Sequence, residues 1–345
     1  MARYPGVGRN ALVWGITPDC GFGTVAHADE DTAAAGLVHQ RGEMRAWCLR
    51  RRRDTRVFYT TCMFDTLVDT SMLAAHLHDP LWVVVDCRFS LADSAAGERA
   101  FADAHISGAS YFHLDHDLAG PVTPASGRHP LPDPATLAAK LGRAGADADT
   151  QLVAYDDAMG AFAARLWWLT RWLGHPHTAV LDGGWRRWTA EGRPVTASVS
   201  PHRPRSFRYP PPDDRLWVNS TEIMALVSGH RSGRLLDART PARFRGEVEP
   251  LDAVAGHIPG AVNLPYDENV EINGRFRSPQ ELRRRFEPLL AGMSVEQAVC
   301  MCGSGVTACH NLLAMEVAGL TGARLYAGSW SEWICDPQRP VARGD

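Results

Sequence analysis

The sequence predicts an α/β protein built from two tandem copies of one domain, each a central parallel sheet flanked by helices. Three observations carry this reading. Short, unbroken apolar runs alternate with helix-compatible segments, a set of motifs recurs in the same order in both halves, and a proline-dense stretch separates the halves. With 345 residues the chain has length for two such domains. A composition of 45% hydrophobic and 22% charged residues, with a formal net charge of -3, fits a soluble globular protein and argues against nucleic acid as a partner. No apolar run approaches the ~20 residues that span a bilayer, so no membrane partner is expected.

Residues 1–62 differ from the rest. Gly and Pro punctuation, an Ala-rich acidic patch and Arg50-Arg51-Arg52-Arg53 show no sustained periodicity. The arginines come too late for a secretory signal, and Asp29-Glu30-Asp31 is too acidic for a transit peptide. The expectation is an extension, either disordered or upstream of a true start at Met63.

Regular structure is predicted from Phe64. Thr66-Leu67-Val68 leads into an amphipathic helix from Thr70 to Leu77, and Trp82-Val83-Val84-Val85 reads as a strand buried on both faces. Gln151 to Tyr155 is a second such strand, a helix follows over Ala161 to Leu173, and Thr178 to Leu181 is a third strand. Strand, crossover helix and strand is the mark of a parallel sheet. Pro201, Pro204, Pro210, Pro211 and Pro212 then remove ladder donors, which makes 199–214 a linker or a strap laid over a domain. The boundaries expected are 63–198 for the first domain and 215–345 for the second.

The second half repeats the first. Asp86-Cys87-Arg88 recurs as Asp237-Ala238-Arg239, His105-Ile106-Ser107-Gly108-Ala109 as His257-Ile258-Pro259-Gly260-Ala261, and the segment ending in Trp185 and Trp188 as the one ending in Trp330 and Trp333. From Asp86 to Asp237, His105 to His257 and Trp185 to Trp330 the offsets are 151, 152 and 145 residues. So large and constant a period means duplicated domains.

One loop stands out in the second copy. An apolar run through Val299, Cys300 and Met301 delivers Cys302 to Gly303-Ser304-Gly305, and a helix-like run starts immediately behind it. Backbone N–H groups at such a helix start converge on the sulfur and favour a thiolate nucleophile. The corresponding position of the first copy is Asp156, so a mere packing role for Cys302 would have a poor counterpart. Eight cysteines in this length are not a disulfide scaffold, and reduced thiols in a cytoplasmic protein are expected. Cys300, Cys302, Cys309 and His310 lack zinc-knuckle spacing, so neither a metal nor another cofactor is expected.

These residues resemble the two-domain rhodanese family of sulfurtransferases, on the tandem Asp-x-Arg and His-Ile-x-Gly-Ala motifs, the Cys302-Gly303-Ser304-Gly305-Val306-Thr307-Ala308 loop and the ending Gly328-Ser329-Trp330-Ser331-Glu332-Trp333. The resemblance covers about Met63 to the C-terminus. It implies an inactive first domain packed on a catalytic second one. It also implies a Cys302 persulfide that carries sulfur from a small-molecule donor to an acceptor: cyanide, a low-molecular-weight thiol or a thioredoxin-like protein.

Within the family, the loop is similar to the 3-mercaptopyruvate branch, because thiosulfate-specific members tend to carry basic side chains where Gly303 and Ser304 stand. Gly303, Gly305, Val306 and Thr307 would form the cradle, and Arg243 matches the arginine that holds the substrate anion. The second such arginine of the mercaptopyruvate branch has no counterpart in Glu249-Pro250-Leu251-Asp252, which leaves Arg245 or an arginine of the first domain for that role. Ser304 is implied to act with a histidine and an aspartate of the first domain, for which His105 and Asp93 are the matches. The residues alone give His105 another reading, since it and His257 occur in both copies, which suits a shared bond to backbone. A cysteine phosphatase would need an arginine at position 308, which is alanine. A non-catalytic sulfur carrier or interaction module is the remaining alternative, and the intact loop argues against it.

Overall fold

The computed structural model describes residues 46–50 and 60–345, with side chains from Met63 onward. The expected extension 1–62 therefore lies mostly outside the described residues. An antiparallel ladder between Ala46–Arg50 and Thr60–Phe64 crosses its boundary.

Two five-stranded parallel sheets form the body of the chain. The first consists of β1 (Leu67–Val68), β2 (Trp82–Asp86), β3 (Ala109–Tyr111), β4 (Gln151–Tyr155) and β5 (Thr178–Leu181), in the spatial order β1-β5-β4-β2-β3. The second consists of β6 (Trp217–Val218), β7 (Arg234–Asp237), β8 (Val262–Asn263), β9 (Ala298–Met301) and β10 (Arg324–Tyr326), in the matching order β6-β10-β9-β7-β8. Central strands β2, β4 and β9 are buried at every residue, which is why they read as unbroken apolar runs rather than as alternation. Residues 199–214 lie along the first domain, where Arg205 N–H donates to Gly142 O at 2.9 Å and Asp213 N–H to Trp172 O at 2.9 Å.

The repeated motifs prove to be one device built twice. Arg88 grips Asp86 at 2.6 Å, donates to Ala104 O at 2.7 Å and lies 4.3 Å from the Trp185 ring centroid. Arg239 grips Asp237 at 2.7 Å, donates to Gly256 O at 2.8 Å and lies 4.8 Å from the Trp330 centroid. The Asp-x-Arg pair thus ties the loop before the His-Ile motif to the tryptophan of the third motif. Both members of each ion pair are buried, so each depends on this full set of partners.

Three helices surround the cysteine loop: α1 (Ala163–Trp172), α2 (Thr307–Val317) and α3 (Ser329–Trp333). α1 and α2 come after equivalent strands, β4 and β9, and pack against each other across the domain boundary. Each is buried along almost its whole length, because one face meets its own sheet and the other meets its twin.

Candidate active site

Cys302 directly succeeds β9 and sits in a five-residue loop before α2, only 2% exposed. The loop is fixed from two sides. Trp330 N–H donates to Cys302 O at 3.0 Å, Ser331 N–H donates to Gly303 O at 2.9 Å, and Cys302 N–H donates to Ser329 Oγ at 3.1 Å. From the first domain, Arg165 of α1 donates to Gly305 O at 3.1 Å. Gly305 has φ +76°, and a Cβ there would stand 2.3 Å from Ala327 O, so the turn admits only glycine. Val306 is buried and Thr307 opens α2.

The first copy shows what such a loop binds. Asp156, at the position of Cys302, accepts four backbone N–H groups at 2.8 Å, from Ala158, Gly160, Phe162 and Ala163. Its carbonyl takes Trp185 N–H at 2.8 Å, as that of Cys302 takes Trp330. This copy has filled its own nest of donors with a carboxylate. The second copy offers the corresponding turn to a sulfur.

The two loops are locked to each other by crossed contacts. Fully buried Arg165 spans Gly305 O, His129 O at 3.1 Å and Leu118 O at 3.3 Å. In the opposite direction His310 of α2 donates to Met159 O, in the Asp156 loop, at 2.9 Å. Asn269 meets its other ring nitrogen at 3.2 Å. Burial pulls the His310 pKa down to about 4. Cys309 lies beneath, with its thiol 3.3 Å from Gly305 O and burial pushing its pKa up to about 12. Burial also raises that of Cys300, which disfavours the thiolate form of both sulfurs.

Ser304 has a histidine partner from the first domain, but it is not His105. His129 Nδ1 lies 2.7 Å from Ser304 Oγ, and its Nε2 lies 3.1 Å from Asp115 Oδ1. A carboxylate can only accept, so Nε2 carries the proton and Nδ1 accepts from the hydroxyl. Burial, reinforced by the charge of Arg165, pulls His129 down to about 4, which leaves the ring neutral at pH 7. His105 instead binds Phe101 O at 2.7 Å and stacks on the Phe101 ring, while His257 binds Phe244 O at 2.8 Å and stacks on Phe244. This backbone bond explains why the histidine stands in both copies. Asp93 is exposed and paired with Arg99.

Arg243 reaches the loop but is not free. Its Nε and Nη2 meet Glu249, and Nη2 also meets Asp252 at 3.1 Å. Asp252 also binds Arg128, which precedes His129 in the same loop of the first domain. Arg245 points elsewhere, to Glu247. No cluster of three or more His, Cys, Asp or Glu suited to a metal occurs among the described residues, and no helix among them is long and apolar enough to cross a membrane.

Known proteins share this architecture. The family model described as "Rhodanese-like domain" matches twice, over residues 69–191 and 221–335. A Pseudomonas aeruginosa protein named "Probable 3-mercaptopyruvate sulfurtransferase" is 50% identical over 281 residues, covering 81% of this chain and 98% of its own. "Thiosulfate sulfurtransferase" of Rattus norvegicus is 32% identical over 295 residues, covering 82% and 97%. Among solved structures, "3-mercaptopyruvate sulfurtransferase from Leishmania major" superposes with a TM-score of 0.68 at 32% identity, covering 78% of this chain and 74% of that one. With both of its domains matched and its duplicated sheets in the same strand order, the chain belongs to the rhodanese family as a tandem, two-domain member.

Proposed function

We propose that the chain is a sulfurtransferase that takes sulfur from 3-mercaptopyruvate through a persulfide on Cys302. The observation that carries the choice of donor is the Ser304–His129–Asp115 chain beside Cys302. The Cys302 thiolate attacks the donor sulfur, the carbon–sulfur bond breaks, and its electron pair passes to the three-carbon fragment as an enolate. That fragment becomes pyruvate only when its methylene carbon gains a proton, and the donor's S–H proton is the one in balance. A hydroxyl bonded to a neutral imidazole can relay it. Thiosulfate carries no such proton and leaves sulfite, so it has no use for the relay.

Local charge favours the same donor. Arg128 and Arg243 are matched by Asp252 and Glu249, which leaves little net attraction for a dianion. In the second half-reaction an acceptor thiolate attacks the outer sulfur, departs as a persulfide and regenerates Cys302; cyanide would leave as thiocyanate. The acceptor is read as a low-molecular-weight thiol or a thioredoxin-like protein. Free thiols at Cys87, Cys300, Cys302, Cys309 and Cys335 suit a reducing, cytoplasmic setting. In this reading 63–198 is the inactive copy, 199–214 the linker and 215–345 the catalytic copy.

The test is kcat/KM for mercaptopyruvate and thiosulfate on one preparation, with mass spectrometry of Cys302 after each donor. A gain of one sulfur at Cys302 and a preference for mercaptopyruvate are expected. Undiminished turnover by Cys302→Ser would sink the mechanism, and a preference for thiosulfate would sink the choice of donor.

A further inference from the structure

Two guanidinium groups, one from each domain, lie over Gly303. A Cβ built on this glycine would stand 2.7 Å from Arg128 Nη2 and 3.4 Å from both Nη1 and Nη2 of Arg243. Gly303 adjoins Cys302, so both cations stand over the residue next to the cysteine. One carboxylate holds both. Asp252, only 4% exposed, presents Oδ1 to Arg128 Nη1 and Oδ2 to Arg243 Nη2.

The two arginines differ in how far they are spent. Arg243 gives Nε and Nη2 to Glu249 and Asp252. Arg128 is anchored by its backbone, whose N–H donates to Ser331 Oγ at 3.0 Å, and by Asp252. Its Nε is buried without a hydrogen-bond partner among the described residues. A buried donor left open is unfavourable unless something fills it. The neighbouring arginines offer no such edge to a ligand. Arg165 spends its N–H groups on carbonyls; Arg239 is gripped by Asp237, and its Nη1, though without a hydrogen bond, is turned to buried Glu249 at 3.5 Å.

We propose that Arg128 is a donor-binding residue that, with Arg243, holds the carboxylate of a 2-oxo acid donor over Gly303. A planar carboxylate fits the fork of a guanidinium, and Arg128 has an unfilled edge of that fork at the loop. Asp252 is the positioning residue that aims both forks. The anion seat is then complete only when the 126–130 loop of the first domain lies against the second domain. Gly127 makes that approach close, since a Cβ there would stand 2.5 Å from Gly328 O. This inference rests on Cys302 as the nucleophile and deepens that reading to the way in which the donor is chosen.

The experiment compares wild type, Arg128→Gln and Arg128→Lys. Alkylation of Cys302 is followed by peptide mapping with iodoacetate, which carries a carboxylate, and with iodoacetamide, its neutral counterpart, beside steady-state kinetics with mercaptopyruvate. For Arg128→Gln the iodoacetate-to-iodoacetamide rate ratio should fall about tenfold or more, and KM should rise by about 10- to 100-fold, the worth of a charge-assisted hydrogen bond. The iodoacetamide rate and kcat should move far less, and Arg128→Lys should recover part of the ratio. An unchanged ratio and KM in Arg128→Gln would overturn the proposal, as would an equal fall with both reagents, which would mark a structural role. Undiminished turnover of wild type after complete alkylation of Cys302 would overturn the nucleophile assignment, and this inference with it.

Discussion

His129 accepts the Ser304 hydroxyl at 2.7 Å across the domain boundary, although 175 residues separate the two in sequence. If this contact relays the donor proton, His129→Asn and Ser304→Ala should each lower kcat with mercaptopyruvate by about 10²- to 10⁴-fold, the usual worth of acid–base assistance. Iodoacetamide labelling of Cys302 should persist, because it needs no relay. The double variant should lose little more than either single one, since the two groups act as a unit. Additive losses in single-turnover kinetics would separate them.

The glycines of the loop predict opposite phenotypes. Gly305→Ala puts a Cβ at positive φ, 2.3 Å from the Ala327 carbonyl oxygen, and should cost at least ~2 kcal/mol in denaturant unfolding. Gly303→Ala meets the ends of two arginine side chains, which can shift. Its unfolding midpoint should stay near wild type while KM rises.

Arg165 carries a structural prediction. It donates to carbonyls of Leu118, His129 and Gly305, which lie in three separate segments. Arg165→Met strands these acceptors in a buried site and should cost about 2–4 kcal/mol. Arg165→Lys should not restore it, because an ammonium cannot span the fork. Urea unfolding of the three proteins is the check.

Acid should destabilise the fold through buried histidines. Burial lowers His129, His175 and His310 from 6.5 to about 4, so the folded state holds fewer protons than the unfolded one between these values. Their contribution is intact above pH 6.5 and is lost as pH falls toward about 4, by up to about 1.4 kcal/mol per pH unit for each. The unfolding free energy should therefore fall steeply from pH 6.5 to 5. His310→Gln should flatten that slope.

Much of the architecture is legible in the sequence. Runs such as Trp82–Val85 announce strands buried on both faces because nothing along them is polar, and the recurring Asp-x-Arg and His-Ile motifs announce a duplication because each is a fixed local device. The duplication also makes His105 a poor choice as partner for Ser304. A histidine in both copies has a reason to be there that both copies share, and its bond to Phe101 O is that reason.

Local sequence suffices for the buried strands at 82–85, 151–155 and 178–181, the duplicated motifs and the cysteine loop, since each is marked by residues adjacent in the chain. What meets that loop is settled by tertiary packing alone. Asp115, Arg128 and His129 lie in a stretch with no regular period, and nothing local marks them. They reach Ser304 and Gly303 because α1 and α2 pack together and set one domain's loop against the other's. Contacts made by the packing of two domains leave no periodic trace in either, so the Ser304–His129–Asp115 chain and the approach of Arg128 to Gly303 emerge only in three dimensions.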